Sequence, residues 1–583
     1  MSTAFDDDLS RHDAAVAASG VEIWVGAEPT FTRPDSQEPP WLSVAEGGDK
    51  EERAVALLRS LVPRLPGTVR LCRAVGRHYP GEEAPRFAFG ALWDRGAQAR
   101  GETGAVESAG LAAPPVPLPP PDAGSAWLTV TPDPAVVEVN MAPASSLAEF
   151  HHDARAVWGA ARDAGLSPVR YRYDGQVSES GGGGQITLGA SSPARSPFFS
   201  SPWLLPGLLR LFNAHPSLSY LFAPECVGSA SQGPRPDEGV RERFEELGVS
   251  LDRLAARGAA VTPEELWSSL APLLVDASGN SHRAEMNIEK LWNPHFEDRG
   301  RMGLVEFRAL GMPERPETMS ARAALLRALA ARASADPVSL PLVDWGGALH
   351  DRFALPTLLL DDLSEVLSDL TLHRLGLGPA LVAELTRRPP PVARVERAGA
   401  ALTLSKAREF WPLVGDVASQ ERSGSRLVDS SGARLETLVE VDQGDPPGRL
   451  TAMGWDVPLV PIGRRRHVAG IRYRAFVPSP GFHPGLPAAD PLRLRWEIGG
   501  TAIAIDLHGW IPGGGVYDGL PGGADEATRR RAARVVVREE TAAAPGDSGD
   551  SRSTSPGPVP PCGHGAFTLD LRRLPPASES RER

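Results

Sequence analysis

The sequence predicts an α+β fold: a sheet with flanking helices, followed by a smaller all-β domain. Three observations lead there. Five strand-like segments far apart in the chain (21–31, 128–144, 181–189, 282–292 and 301–313) each carry charged or amide residues among apolar ones. Helical periodicity fills stretches between them. From about residue 395, short alternating runs separated by Gly, Pro and Asp read as strands and turns. A charge inside apolar strand sequence is costly unless paired or metal-bound, so five such segments point to one shared carboxylate-rich cleft.

The elements follow in order. Val21, Ile23 and Val25 alternate with Glu22 and Trp24, giving a strand that ends at Gly26 to Glu28. Residues 49–61 form a helix with Ala54, Leu57, Leu58 and Leu61 along one side. A Pro-rich linker at 110–126 is extended. A hairpin spans 127–140 around Pro132-Asp133-Pro134. Ser146 and Glu149 have capping-box spacing and open a helix over 147–163 that stops near Gly165. The neighbouring His151 and His152 point about 100° apart on that helix, so solvated histidines are expected rather than a metal pair. The domain reading is 1–109 and 127–394 for the catalytic domain, 395–540 for the β-rich domain, and 541–583 for a disordered tail.

Composition narrows the function. At 583 residues the chain has room for several cores, and its 60 Gly and 57 Pro imply many turns. A net charge of −12 argues against nucleic-acid and anionic-membrane partners. Cys72, Cys226 and Cys562 form no CxxC, so neither a zinc knuckle nor a disulfide framework is indicated. Cys226 reads as an inert buried thiol. The acidic N-terminus is unlike a secretion signal, and no run of 18 apolar residues occurs, so a cytoplasmic protein is expected. The lack of a GxSxG elbow disfavours a Ser-His-Asp hydrolase.

Strand alternation selects the candidate residues. Glu138 and Asn140 share a face, as do Glu306 and Arg308. Arg283, Glu285 and Asn287 align if 282–287 is extended, and Glu28 reaches a cleft rim from its strand end. Glu28, Glu138, Glu285 and Glu306 are the oxygen ligands that magnesium takes. The Gly181-Gly182-Gly183-Gly184-Gln185 run lets backbone amides approach phosphate. Arg77 or Arg86 can pair with phosphate or carboxylate. Glu289, at an apparent helix start, reads as surface.

Several long motifs carry a family resemblance. WVGAEPTF, GRHYPGEEAPRFAFG, TPDPAVVEVNMAPAS, HPSLSYLF, LLVDASGNSHRAE and GLVEFRALGMP resemble the bacterial amidoligase domain that often follows a transglutaminase-like domain. DWGGALHDRFALP, FWPLVG, RLVDSSGARLE and VAGIRYRAFVPSPGFHP recur in similar order, so the resemblance covers roughly 15–535. It implies a mostly antiparallel catalytic sheet similar to glutamine synthetase and glutamate–cysteine ligase. It also implies ATP and Mg2+ as cofactors, and an amide or peptide bond formed through an acyl-phosphate. Glu306-Phe307-Arg308 looks like the Glu-x-Arg strand of those enzymes, with Arg308 catalytic and Arg283 a candidate for the substrate carboxylate. Gly182, Gly183, Gln185 and Arg77 are the nucleotide-binding candidates.

Small-molecule or peptide carboxylates and amines are the implied substrates. Operon-encoded transglutaminase-like or ATP-grasp proteins are the implied partners. Relatives carry more protein near the linker, implying a lost insert. They also read Gly-Gly-Gly-Asn-His where this chain has Gly184-Gln185. That departure favours an alternative: a catalytically degenerate, peptide-binding or scaffold member. A metal-dependent amide hydrolase using the same carboxylates is a third reading. The β-rich domain shows no comparable carboxylate set, so truncation near 395 is expected to spare nucleotide binding if that domain is independent.

Overall fold

The structure, a computed structural model, describes residues 2–34, 49–75, 87–94, 105–107, 125–133, 136–296, 300–416, 426–442, 445–479, 481–541 and 566–574. It is an α+β protein with mainly antiparallel sheets. The strands up to residue 307 are β1 (Trp24–Glu28), β2 (Thr30–Phe31), β3 (Thr68–Val75), β4 (Phe87–Asp94), β5 (Ala105–Glu107), β6 (Ser125–Asp133) and β7 (Val136–Asn140). They continue with β8 (Val169–Tyr171), β9 (Val177–Glu179), β10 (Gln185–Gly189), β11 (Cys226–Val227), β12 (Met286–Asn287) and β13 (Val305–Phe307).

Two sheets, ordered β1-β10-β13-β12 and β2-β7-β6-β4-β3-β5, hold most of these strands. They merge along 24–31, because that segment pairs on both sides. Thr30 faces Glu138, Val139 N donates to Pro29 O (2.9 Å), and Met141 N donates to Ala27 O (3.0 Å). On its other side Glu28 faces Gln185. One polar face therefore runs from β7 to β12.

The opposite face is apolar. Val25, Ala27, Ile186, Leu188, Met286, Val305 and Phe307 are buried in a core that includes the helices Leu147–Asp163, Leu204–Ala214 and Pro316–Ala335. Phe212 lies 5.6 Å from Phe307, ring to ring. Such side chains contribute about 1.5–3 kcal/mol each when fully buried.

The helix Asp49–Leu61 buries Ala54, Leu57, Leu58 and Leu61 as its periodicity predicts. The helix Leu147–Asp163 starts at Ser146, whose Oγ accepts from Glu149 N at 3.1 Å. Glu149 reaches back to Ser145 N (2.8 Å) rather than to Ser146. His151 corrects the expectation of two solvated histidines. It is buried, its Nδ1 lies 2.9 Å from Ser320 Oγ, and its ring packs on Phe5. The docking of the N-terminal helix Ser2–Ala18 covers it.

A second core, from Ala400 to Leu569, lies between a sheet centred on Gly432–Glu440 and Arg466–Arg474 and one centred on Leu492–Ile498 and Thr501–Leu507. This region is not all-β, since it carries the helix Ala524–Ala533. The tail expected to lack structure over 541–583 returns to it in part, with Thr568–Asp570 pairing in parallel with Arg466–Arg474. Leu569 enters the second core, an apolar contact that composition averaged over the tail hides. Of the Pro-rich linker, the described residues are Ser125 and Ala126, which open β6.

Candidate functional site

Register builds the site. On the polar face Glu28 opposes Gln185, and Glu306 opposes both Thr187 and Asn287. Beyond the ends of β12 and β13 the pairing continues, with Arg308 N donating to Glu285 O at 2.9 Å. A row of side chains thus crosses five strands: Asn140, Glu28, Gln185, Arg308 and Glu285. At a strand spacing of about 4.8 Å it is roughly 19 Å long.

The row is deeply set, with Glu285, Gln185, Glu306 and Arg308 only 2%, 3%, 4% and 6% exposed. Among the described residues, three of its polar atoms find no hydrogen-bond partner: Gln185 Oε1, Arg308 Nε and Glu285 Oε1. Buried polar atoms are normally satisfied, so three such atoms in one row make it the candidate site.

Charge is arranged around it. Arg308 Nη1 donates to Glu306 Oε1. Lys290 Nζ, on the one-turn helix Glu289–Trp292, stands 3.8 Å from both Glu28 Oε1 and Glu306 Oε2. Burial pushes Glu306 up, but Arg308, Lys290 and His282 outweigh it and hold the carboxyl below its ordinary range. Glu285 goes the other way. Burial, opposed by Arg235, raises it to about 7, although Arg235 Nη1 lies 3.7 Å away. Arg235 is committed elsewhere, to both oxygens of Asp237 and to the Phe212 and Asn213 carbonyls.

The glycine loop borders this row. Gly181, Gly182 and Gly184 have φ of 110°, 78° and 99°. A Cβ on Gly184 would run into the Gly311 carbonyl, so close packing as well as backbone conformation requires glycine there. Gln185 Nε2 donates to Gly182 O at 2.5 Å, which turns Oε1 outward from that bond.

The predicted carboxylates do not all meet. Glu138 is on the same face as Glu306 but three strands away, and it accepts from Asn140 at 2.9 Å. Lateral strand spacing separates them. Glu28 and Glu306 share the Lys290 ammonium. Among the described residues the one acidic–histidine triad within 4.8 Å is His215, Asp362 and Glu365, in which Asp362 accepts from His215 and Ser217 N.

Arg283 is off the strand, in a turn closed by its N–H to Asn280 O (3.2 Å), so only Glu285 and Asn287 keep the expected alignment. Glu289 is half-buried rather than surface. The His282 bond, with Ser281 and Asn287, lowers it to about 2. Cys226 is partly buried, and burial raises its thiol to about 12. Arg77 and Arg86 lie outside the described residues. Lys290 and Arg235 gave no sequence signal.

Behind Arg308 a cavity of about 10 Å3 is lined by Tyr220, Ser231 and Glu238 among others. Glu238 accepts from Tyr220 Oη, from His350 Nε2 (2.9 Å) and from Arg235 N (3.1 Å). A groove of about 1120 Å3 is remote from this site, between residues 394–401, 440–442 and 462–466. Most of its arginines are paired with acids there or nearby, as Arg465 is with Asp442 and Arg466 with Asp361.

A buried polar row of carboxylates and a guanidinium, bordered by a glycine loop, thus lies on an antiparallel sheet of an α+β protein. The chain belongs to the family described as "Putative amidoligase enzyme", matched over residues 6–103 and 117–572, and that description supports a ligase-type function. No curated protein matches the chain. Among the described residues, no helix is long and apolar enough to cross a membrane.

Proposed function

We propose that this chain is an ATP- and magnesium-dependent carboxylate–amine ligase, forming an amide or peptide bond through an acyl-phosphate. The observation that carries the reading is the row of orphaned atoms on Gln185, Arg308 and Glu285 beside the Glu28–Glu306 carboxylates. Its length suits an extended nucleotide and a second substrate end to end.

The donor set fits magnesium. Glu28 and Glu306 would hold it with the free Gln185 Oε1, all hard oxygen ligands. Lys290 balances the two carboxylates with an ammonium whose side chain is 39% exposed. Magnesium, when bound, neutralises charge between phosphate oxygens. Gln185 keeps an acceptor where relatives have histidine, which supports a working site over a scaffold.

The chain's own residues supply the rest. Arg308 directs an unused Nε–H and a fixed positive charge into the row, where a transferring phosphoryl or a carboxylate can accept it. The backbone amides of Gly182 and Gly183 border the row as phosphate donors. Glu285, raised to about 7, is tuned to take the proton an amine must lose as it attacks an acyl carbon. The substrate classes are small-molecule or peptide carboxylates and amines, and the sheet would act as those of glutamine synthetase-like enzymes do.

Calorimetric titration of a non-hydrolysable ATP analogue, with and without Mg2+, tests the proposal. Saturable binding that needs Mg2+ is expected. Absence of binding under both conditions would remove the ligase reading.

A further inference from the structure

The hairpin that feeds the glycine loop is gripped at its tip by a helix from the β-rich region, more than 340 residues later in the chain. β8 and β9 pair from Val169–Glu179 to Tyr171–Val177, and Ser180 to Gly184 follow β9 directly. At the tip, Arg530 Nη1 donates to Tyr173 O at 2.8 Å, Arg531 donates to Gly175 O, and Arg534 pairs with Asp174. Lys406 adds a bond to Gln176 Oε1. Gly175 has φ of 80°, and a Cβ there would run into the Ala527 carbonyl, so the helix backbone presses on the turn itself.

The far end of the hairpin is fixed to the site. Ser180 N donates to Pro168 O (2.9 Å), and Ser180 Oγ donates to Thr30 O (2.8 Å). Glu179 Oε2 accepts from Met312 N (2.8 Å), and Gly184 N donates to Glu28 O (3.1 Å). A rigid two-stranded lever therefore joins the arginine helix to the loop beside Glu28 and Gln185.

We propose that Arg531 and Arg534 are positioning residues for the glycine loop, so that the β-rich region sets the loop's fit to nucleotide phosphates. This rests on the reading that the loop binds those phosphates. Charge-assisted bonds to a turn carbonyl and to Asp174 hold the tip, and their loss frees the lever to tilt, carrying Ser180 to Gly184 with it.

The test uses the full chain with Arg531→Ala/Arg534→Ala, and separately with Asp174→Asn, which breaks the same ion pair from the hairpin side. Amide exchange at Ser180 and Gly184, measured without nucleotide, should quicken about tenfold, the scale of one charge-assisted hydrogen bond. Affinity for the Mg2+–ATP analogue should fall by a similar factor, and Arg534→Lys, which keeps the ion pair, should restore most of both. Faster exchange confined to the tip around Gly175, with Ser180 and Gly184 unchanged, would overturn the proposal. If loop exchange responds as expected but the wild-type chain binds no nucleotide, the positioning role stands and the ligase reading fails.

Discussion

Arg308 and Glu285 face each other across neighbouring chain segments, joined by a 2.9 Å backbone bond, and among the described residues Arg308 Nε and Glu285 Oε1 have no hydrogen-bond partner. Their side chains do not quench each other, because Arg308 is turned to Glu306 and Glu285 lies nearest Arg235. The two side chains are thus not a mutual ion pair, although they lie on the same face of the sheet.

Glu285 gives a pH signature. Its ordinary carboxyl value is 4.5, and burial, opposed by Arg235, raises it to about 7 in the folded chain. Between those values the folded state keeps a proton that the unfolded chain has lost, so this contribution to stability falls as pH rises from about 4.5 to 7. Glu285→Gln does not titrate. Melting temperatures of wild type and variant, compared at pH 4.5 and 8, should move in the variant's favour at the higher pH. A constant difference would mean that Glu285 is not raised.

Glu306 and Arg308 separate binding from turnover. Glu306→Gln should weaken Mg2+-dependent analogue binding by at least about 10-fold, the scale seen when a metal site loses supporting contacts. Arg308→Lys keeps the charge but loses the fork. It should leave affinity near that of wild type while lowering turnover about 100-fold, as for a lost transition-state donor. Parallel losses of affinity and turnover in Arg308→Lys would indicate a purely structural pair.

Lys290 competes with metal in this account. Lys290→Ala leaves Glu28 and Glu306 without their shared ammonium, so Mg2+ affinity should rise. The gain should be only a few-fold, because the partly exposed ammonium stands 3.8 Å from each carboxylate, too far for a hydrogen bond. Calorimetry with Mg2+ and the analogue reads it directly, and weaker binding would make Lys290 a substrate contact instead.

Truncation near 395 now carries a different expectation from the one its sequence suggests. β11 pairs in parallel with Glu409–Phe410, Arg408 donates to the Leu221 and Pro224 carbonyls, and Phe410 stacks 4.0 Å from His350, which bonds Glu238. Phe410→Ala, at a partly buried ring, should destabilise by less than the about 3 kcal/mol of a core aromatic deletion, and removal of residues 395–583 should abolish analogue binding. Melting of the variant and titration of the truncated chain check both. Full binding by the truncated chain would make the β-rich region dispensable to the site.

Much of this was legible locally. Alternation put Glu306 with Arg308 and Glu138 with Asn140, and caps and apolar stripes located the helices over 49–61 and 147–163. The rest depended on contacts distant in sequence. The separation of Glu138 from Glu306 follows from strand order, which no strand announces by itself. Lys290 sits on a single helical turn with no pattern to mark it, and Arg235 is buried only because Asp237 and two carbonyls of a preceding helix enclose it. The strand Thr568–Asp570 is three residues long, too short to stand out from a polar tail. His151 looked solvated because the helix that covers it, Ser2–Ala18, lies far earlier in the chain.

The most direct measurement is anomalous scattering from crystals grown with Mn2+ and a non-hydrolysable ATP analogue. The account predicts a manganese peak bounded by Glu28, Glu306 and Gln185, Lys290 turned away, and phosphates against the glycine loop. Manganese and nucleotide bound elsewhere, with the Lys290 bridge and the three orphaned atoms unchanged, would contradict it.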